Sequence, residues 1–360
     1  MRTRLHERQA PLTRIGLDER CRGLPPACFA PVMATGIVSR ALDRTGAPTA
    51  SGVLFCVAAA LYLPLLTATA VKAARHRDVL RAELRDPARL FGHYTLVAAS
   101  GVLAARLGAG PARIAGCALL TVAVTVWAAL ARATVRLWRA RTPATLHLAD
   151  GTWFLATVGL QSVVIALTSL RPARLVLAGA LVLWGVGVLL YAGTLTVVLR
   201  RLRRDPPPPA RLAPSYWITM GAAAISTLAG GQLLAYAELL PQPARGPLGD
   251  TVVTLWTWAT LLIPPLLAAG LWRHRHHRVP LAYEPALWCI VFPAGMYATA
   301  TAQLATEHRL DAALLPLGPL AWAASAAWLM VTALRLAGRP RPRFRPARRP
   351  AEAGGRSRGR

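Results

Sequence analysis

Ten long apolar segments, each long enough to cross a lipid bilayer, constrain this chain more than any other feature. A transmembrane helix needs about 20 apolar residues to cross a hydrocarbon layer roughly 30 Å thick. The segments lie at residues 26–42, 51–71, 90–107, 112–138, 148–169, 174–199, 214–236, 250–272, 282–303 and 311–334. Because 54% hydrophobic residues coexist with a net charge of +27, a single soluble core is excluded. The sequence therefore predicts an all-α integral membrane protein with ten transmembrane helices.

The 42 lysines and arginines are divided unequally between alternate loops. One set of loops holds eight of them, and the other set, together with the two ends of the chain, holds the rest. The eight are Arg40, Arg44, Arg106, Arg113, Arg171, Arg174, Arg245 and Arg309. Positive residues near the ends of spans are retained in the cytoplasm. We therefore expect a multi-pass protein of the plasma (inner) membrane with both termini cytoplasmic.

The two ends of the chain are polar and basic. Residues 1–23 lack the apolar core and small-residue cleavage site of a signal peptide, so we expect an uncleaved cytoplasmic arm. Residues 338–360 form a basic tail with one aromatic residue, Phe344. We interpret this tail as a disordered cytoplasmic segment that contacts anionic membrane lipids, and RNA binding is the less favoured alternative. The transmembrane domain then covers residues 24–337, and no nucleic-acid partner is expected.

The odd-numbered spans differ from the even-numbered spans in residue size. Each odd span has small residues around a central glycine, whereas the even spans are richer in Leu and Val. The five glycines are Gly36, Gly101, Gly159, Gly221 and Gly295. Small residues let helices approach closely or leave room for a pathway, and Leu-rich helices suit lipid contact. This pattern predicts five helical hairpins around a central pore; the simpler alternative is that the glycines tighten an ordinary bundle.

Two segments of the chain resemble a known family. The sequences PPACFAPVMATGIVS in the first span and WCIVFPAGMYATAT in the ninth are similar to the matching helices of the tellurite-resistance/dicarboxylate transporter family. That family includes bacterial tellurite-resistance protein A and the plant slow anion channels. The resemblance extends over the ten-span layout, residues 24–337. It implies five hairpins, a central pore lined by the odd helices, a phenylalanine on the ninth helix that occludes the pore, and a homotrimer.

The Phe-Pro pair of the ninth span matches Phe292 and Pro293, so the resemblance implies that Phe292 is the pore gate. An aromatic side chain suits a hydrophobic constriction that opens by moving or by dewetting. Gly295 and Thr299 share a helical face with Phe292, and the five central glycines and Thr299 are the pore-lining candidates. We expect helix kinks at Pro31 and Pro293. Without the resemblance, Phe292 would suit a core or a lipid-facing position equally well.

Ionisable residues are rare inside the spans, because His93, Asp150 and Glu284 lie near span ends. A proton-coupled carrier needs a buried group that changes its charge during the cycle. Passive conduction of small anions is therefore favoured. The alternative is a proton-coupled C4-dicarboxylate carrier, or a carrier related to sulfite or tellurite transport. The arginine-rich loops report orientation more than substrate, so the resemblance carries most of the anion assignment.

A membrane enzyme or a non-conducting structural subunit is the alternative from another class. Ser100 and His93 share one helix but lie about 10 Å apart at 1.5 Å per residue, too far for a nucleophile and its base. Three histidines of one loop, His274, His276 and His277, could hold a metal, yet the flanking arginines repel cations. We therefore expect no catalytic residues, no metal and no cofactor, and we favour a transporter or channel for small anions.

Overall fold

The computed structural model describes residues 16–108, 110–140, 146–170, 172–206, 214–307 and 316–338. Throughout these ranges the regular structure is helical, with no strand. Most of the predicted N-terminal arm and nearly all of the predicted basic tail lie outside the described residues, as does the start of the predicted tenth span.

Thirteen α-helices are found in this part of the chain. They are α1 (Leu17–Arg22), α2 (Ala30–Arg44), α3 (Pro48–Arg75), α4 (Arg77–Arg85), α5 (Pro87–Leu90), α6 (Tyr94–Leu107), α7 (Arg113–Ala140), α8 (Leu155–Leu170), α9 (Arg174–Arg204), α10 (Trp217–Leu234), α11 (Gln242–Arg275), α12 (Trp288–Thr306) and α13 (Leu317–Leu336). Short 3₁₀ segments precede four of them, at Phe91–His93, Gly151–Phe154, Pro214–Tyr216 and Pro285–Leu287. Each of these four segments leads directly into the next α-helix, and a fifth 3₁₀ segment, Ala237–Leu239, lies between α10 and α11.

Nine helical segments within the described ranges are long and apolar enough to cross a membrane. They correspond to the second to tenth predicted spans. The first predicted span, 26–42, is represented by α2, which has 15 residues and begins only at Ala30 because the preceding residues form turns. The structure therefore supports a multi-pass helical membrane protein, whereas the count of ten spans stays a prediction.

Burial alternates along the chain from one long helix to the next. In the segments that contain α6, α8, α10 and α12, between 83% and 94% of the most apolar stretch is buried. In α3, α7, α9, α11 and α13 the corresponding share is 11% to 28%. Twelve of the fifteen residues of α2 are buried, which places α2 with the first group. The odd spans therefore form the interior and the even spans the outside, where exposed apolar side chains suit lipid contact.

The five buried helices contact one another in a closed order. Helix α2 packs against α6, α6 against α8, α8 against α10, α10 against α12, and α12 against α2. Each buried helix also packs against the outer helix that follows it in the chain. We call the five buried helices α2, α6, α8, α10 and α12 the inner ring.

Hydrogen bonds from aromatic side chains join the outer helices to the inner ring. Trp328 Nε1 of α13 donates to Thr35 Oγ1 of α2 at 2.8 Å. Trp184 Nε1 of α9 donates to the Ser226 carbonyl of α10 at 2.8 Å. The Tyr62 hydroxyl of α3 lies 2.8 Å from Ser100 Oγ of α6. Bonds of this kind satisfy polar groups that lipid cannot, so they fix the rotation of each outer helix against the ring.

Two local features differ from the predicted layout. The eighth span was predicted at residues 250–272, but α11 begins at Gln242 and includes Pro247. Pro247 is the sixth residue of α11, so it lies inside the helix and removes one backbone donor there. The predicted loop at 72–89 contains the helix α4, whose Glu83 is buried.

Candidate functional site

Helix α12 carries the predicted gate and packs against four helices, the ring neighbours α2 and α10 and the outer helices α11 and α13. On its outer side, the Tyr297 hydroxyl lies 2.7 Å from Thr260 Oγ1, and Thr301 Oγ1 accepts a bond from Trp256 Nε1 at 2.9 Å. Both Thr260 and Trp256 belong to α11. The face of α12 that carries Tyr297 and Thr301 therefore points away from the inner ring.

The two ring neighbours of α12 contact two further faces. Pro293 packs against Gly221 of α10, where a Cβ on the glycine would lie 2.7 Å from Pro293 Cγ. Gly295 packs against α2, where its Cβ would lie 3.0 Å from Ile37 Cγ2 and 3.2 Å from Val38 Cγ2. These contacts assign one flank of α12 to α10 and the other to α2.

One stripe of α12 lies between its two ring neighbours and opposite the face that meets α11. At 100° per residue, Phe292, Met296, Thr299 and Gln303 lie between the flank that meets α10 and the flank that meets α2. Phe292, Met296 and Thr299 are completely buried, and Gln303 is 4% exposed. Thr299 Oγ1 donates to the Gly295 carbonyl at 2.8 Å, so its proton is already used. We call these four residues the inward stripe.

The five central glycines all lie where one ring helix meets the next. A Cβ added at each would meet a side chain or backbone atom of the adjacent ring helix at 3.1 Å or less. The nearest partners are Val102 for Gly36, the Ser162 carbonyl for Gly101, Tyr94 for Gly159, Pro293 for Gly221 and Ile37 for Gly295. These glycines therefore let neighbouring ring helices approach each other closely. That they also line a pore stays a prediction.

We expect Gly101→Ala to destabilise the protein. The added Cβ would lie 2.6 Å from the Ser162 carbonyl oxygen, so α6 and α8 would have to separate. Overpacking of this kind costs about 1–3 kcal/mol. Gly185 of α9 is a matched control, because nothing lies within 4 Å of its added Cβ and alanine there should be neutral. The check is thermal unfolding of the detergent-solubilised variants, and equal melting temperatures would contradict the close approach.

Of the two prolines predicted to kink helices, one lies at the start of its helix and the other lies inside its helix. Pro31 is the second residue of α2 and lies in its first turn, where a proline interrupts no helical hydrogen bond. It therefore begins the helix rather than bending it. Pro293 lies inside α12, where it removes one backbone donor and packs against Gly221.

The side chains weighed for catalysis have separate partners. Ser100 Oγ donates to the Leu96 carbonyl at 2.8 Å, whereas His93 Nε2 lies 3.3 Å from Glu83 Oε2. Glu83 also binds Lys72, which lies 2.8 Å away. Ser100 and His93 thus belong to different polar contacts, one facing α3 and the other facing α4.

The histidines considered as metal ligands also have separate contacts. His274 Nδ1 lies 2.8 Å from the Val279 carbonyl, and the His277 ring packs edge-on against Trp272. Within the ranges given for the structure, no three His, Cys, Asp or Glu side chains are grouped as metal ligands would be.

Sequence reasoning treated the arginines at the end of α2 only as markers of orientation. In the structure, Arg40 is 8% exposed, although it is charged, and Arg44 Nη2 donates to Gln303 Oε1 of the inward stripe at 2.7 Å. Their spacing of four residues was the available signal, since it places both on one helical face. It went unused because the predicted span ended at residue 42, before Arg44.

The buried ring, its lipid-facing outer helices and the apolar lengths define a multi-pass helical membrane protein. A family model described as SLAC1, voltage-dependent anion channel, matches residues 23–336, and the chain belongs to this family. The resemblance drawn from the first and ninth spans is thereby confirmed.

Two groups of relatives are similar over part of the chain. Uncharacterized membrane proteins from two strains of Mycobacterium tuberculosis are 41% identical over 122 residues, which is 34% of this chain and 62% of each relative. A protein of Methanocaldococcus jannaschii named as an uncharacterized transporter is 24% identical over 163 residues, 43% of this chain and 46% of that relative. The chain thus matches less than two thirds of the length of each of these relatives.

Proposed function

We propose that the chain conducts small anions along the axis of the inner ring and that Phe292 is the constriction. The observation that carries this proposal is the position of Phe292, completely buried on the stripe of α12 that lies between the ring neighbours α2 and α10 and opposite the face that meets α11. A buried aromatic ring at the centre of a ring of helices is suited to close a narrow apolar passage. Membership in an anion-channel family supports the same assignment.

Helix α2 is the first span in this proposal, and it brings the number of ring helices to five and the number of spans to ten. Its 15 residues rise roughly 22 Å, which is short for a span, but the turns at its start extend it. We further propose that both termini are cytoplasmic, that the protein lies in the plasma membrane, and that it forms a homotrimer through outer helices. The arginine distribution supports the orientation, and the family resemblance supports the trimer.

A proton-coupled carrier of C4-dicarboxylates is the second candidate. Its support is that the Methanocaldococcus relative is named as a transporter. A proton-coupled cycle needs a group that binds and releases a proton on the pathway. Glu83, the buried carboxylate of the described ranges, lies outside the inward stripe and is paired with Lys72 and Arg89. Passive conduction is therefore the proposal that the arrangement favours.

The test is anion flux into proteoliposomes that contain the purified protein. Chloride, nitrate and malate are supplied in turn, with and without a pH gradient, and liposomes with heat-denatured protein serve as the control. We expect flux that follows the anion gradient and does not respond to the pH gradient. Malate uptake driven by the pH gradient would establish the carrier instead, and no flux of any anion would contradict both candidates.

A further inference from the structure

Arg40 is a buried arginine that has no partner among the residues that the structure describes. Its side chain is 8% exposed, and no described residue forms a hydrogen bond or an ion pair with its guanidinium group. The two nearby arginines differ from it in this respect. Arg44 donates to Gln303 at 2.7 Å, and Arg106 Nη2 lies 3.0 Å from Asp43 Oδ1. Arg40 therefore carries a charge that the described protein groups do not neutralise.

The neighbours of α2 show which way Arg40 points. Gly36, one turn before Arg40, faces α6, and Arg44, one turn after it, reaches Gln303 of α12. Thr35 and Ser39 bond to the outer helices α13 and α3, so the face of α2 that these two residues share points outward. Arg40 thus lies between the contacts with α6 and α12, on the side of α2 that faces the ring interior.

The electrostatic surroundings of Arg40 favour an anion. Arg44 and Arg106 are near enough to repel its charge, and among the described residues Asp43 alone opposes them. Asp43 is already engaged by Arg106. A buried cation without a counter-charge is costly, and within a membrane protein such a residue marks a pathway or a binding site. The missing partner is therefore expected to be a bound anion.

Arg40 and Phe292 lie on neighbouring ring helices, but at different depths along the ring axis. Helices α2 and α12 run in the same direction, because Ile37 meets Gly295 and Arg44 meets Gln303. Counting residues along both helices places Arg40 roughly 10 Å beyond Phe292, toward the end of the ring where α2 ends. An anion bound at Arg40 would therefore lie on one side of the constriction at Phe292.

We propose that the Arg40 guanidinium binds a small planar oxyanion, such as nitrate or a carboxylate, at the mouth of the inner ring beyond Phe292. This inference rests on the proposed function, because it names the group that receives the anion on that pathway. The parallel N–H groups of guanidinium match two oxygens of a planar oxyanion, which an ammonium group cannot do. By the arginine distribution, this mouth is the non-cytoplasmic one.

The first test measures nitrate and chloride flux against concentration for the wild type, Arg40→Gln, Arg40→Lys and Arg113→Gln. Arg113 is the matched control, because it is an exposed arginine expected on the same side of the membrane. We expect Arg40→Gln to raise the half-saturating nitrate concentration about 10-fold or more, and Arg113→Gln to leave it unchanged. Arg40→Lys should weaken the binding of nitrate more than the binding of chloride. If Arg40→Gln and the wild type had the same half-saturating nitrate concentration, the site would be overturned. If Arg40→Lys changed the half-saturating concentrations of nitrate and chloride by the same factor, the preference for planar oxyanions would be overturned.

The second test detects binding without transport. Nitrate should raise the melting temperature of the solubilised wild type and of Arg113→Gln, but not of Arg40→Gln, at constant ionic strength with a large sulfonate as the replacement anion. Without nitrate, Arg40→Gln should be at least as stable as the wild type, because an unpaired buried charge is removed. A retained nitrate shift, or a marked loss of stability without nitrate, would overturn the proposal. A shift that depends on Arg40 in a protein without flux would support the site and contradict the proposed function.

Discussion

Replacing Phe292 with alanine should raise anion flux by at least about tenfold, the change produced when a barrier falls by about 1.4 kcal/mol. The side chain is completely buried on the inward stripe, so its removal leaves a gap on the ring axis. The measurement is chloride and nitrate flux from proteoliposomes of equal protein content. A gain in flux is the result that distinguishes a gate from a packing residue, because packing residues lower yield without opening a path.

Phe154→Ala is the matched control for this substitution. Phe154 is also completely buried, but its ring packs against Tyr191 of the outer helix α9, with centroids 5.4 Å apart. Both substitutions should cost about 3–5 kcal/mol of stability, since each removes a buried phenylalanine. Only Phe292→Ala should also raise flux. Equal flux in the two variants would assign Phe292 to the core and contradict its role as a constriction.

Glu83→Leu should destabilise the protein by about 3–5 kcal/mol, the cost of leaving one partner of a buried ion pair unpaired. Lys72 Nζ lies 2.8 Å and 2.9 Å from the two Glu83 oxygens, and the side chains are 3% and 2% exposed. Lys72 also donates to the Leu24 carbonyl at 2.7 Å. The pair thus ties α3 and α4 to the segment that precedes α2. The measurement is unfolding in mixed detergent micelles.

Two further variants make this prediction specific. The double variant Glu83→Leu with Lys72→Met should recover most of the lost stability, because it leaves no buried charge. Asp18→Asn breaks the ion pair with Arg75, in which both side chains are more than half exposed, and should cost less than about 1 kcal/mol. If Glu83→Leu were no more harmful than Asp18→Asn, the buried pair would not hold these segments together.

The layering of the fold could be predicted from residue size. Segments such as VMATG, ending at Gly36, and VAASG, ending at Gly101, indicated helices that approach others closely, and these helices are buried in the structure. Which neighbouring helix each glycine faces could not be predicted, since it depends on how the helices are rotated about their axes. Gly101, for example, meets the Ser162 carbonyl of α8, a contact that no sequence pattern encodes.

Helix ends were predicted less well, and the error affected the site. Pro31 was interpreted as a kink because a proline inside an apolar run usually marks a break, yet α2 begins only one residue before it. At the other end, α2 continues to Arg44, two residues beyond the predicted end. Arg40 therefore lies a full turn inside the helix rather than in a loop. Its burial follows from tertiary packing and is not visible in the count of basic residues.

The central claim, that anions cross the protein along the inward stripe, is tested most directly by chemical modification of single cysteines. Met296→Cys and the control Ala294→Cys are placed in a variant that carries Phe292→Ala and no native cysteine. Met296 belongs to the inward stripe, whereas Ala294 lies on the opposite side of α12. We predict that a charged methanethiosulfonate reagent blocks anion flux through the Met296→Cys protein and leaves the Ala294→Cys protein unaffected. Flux that persists after Met296→Cys is shown to be modified would contradict the pathway.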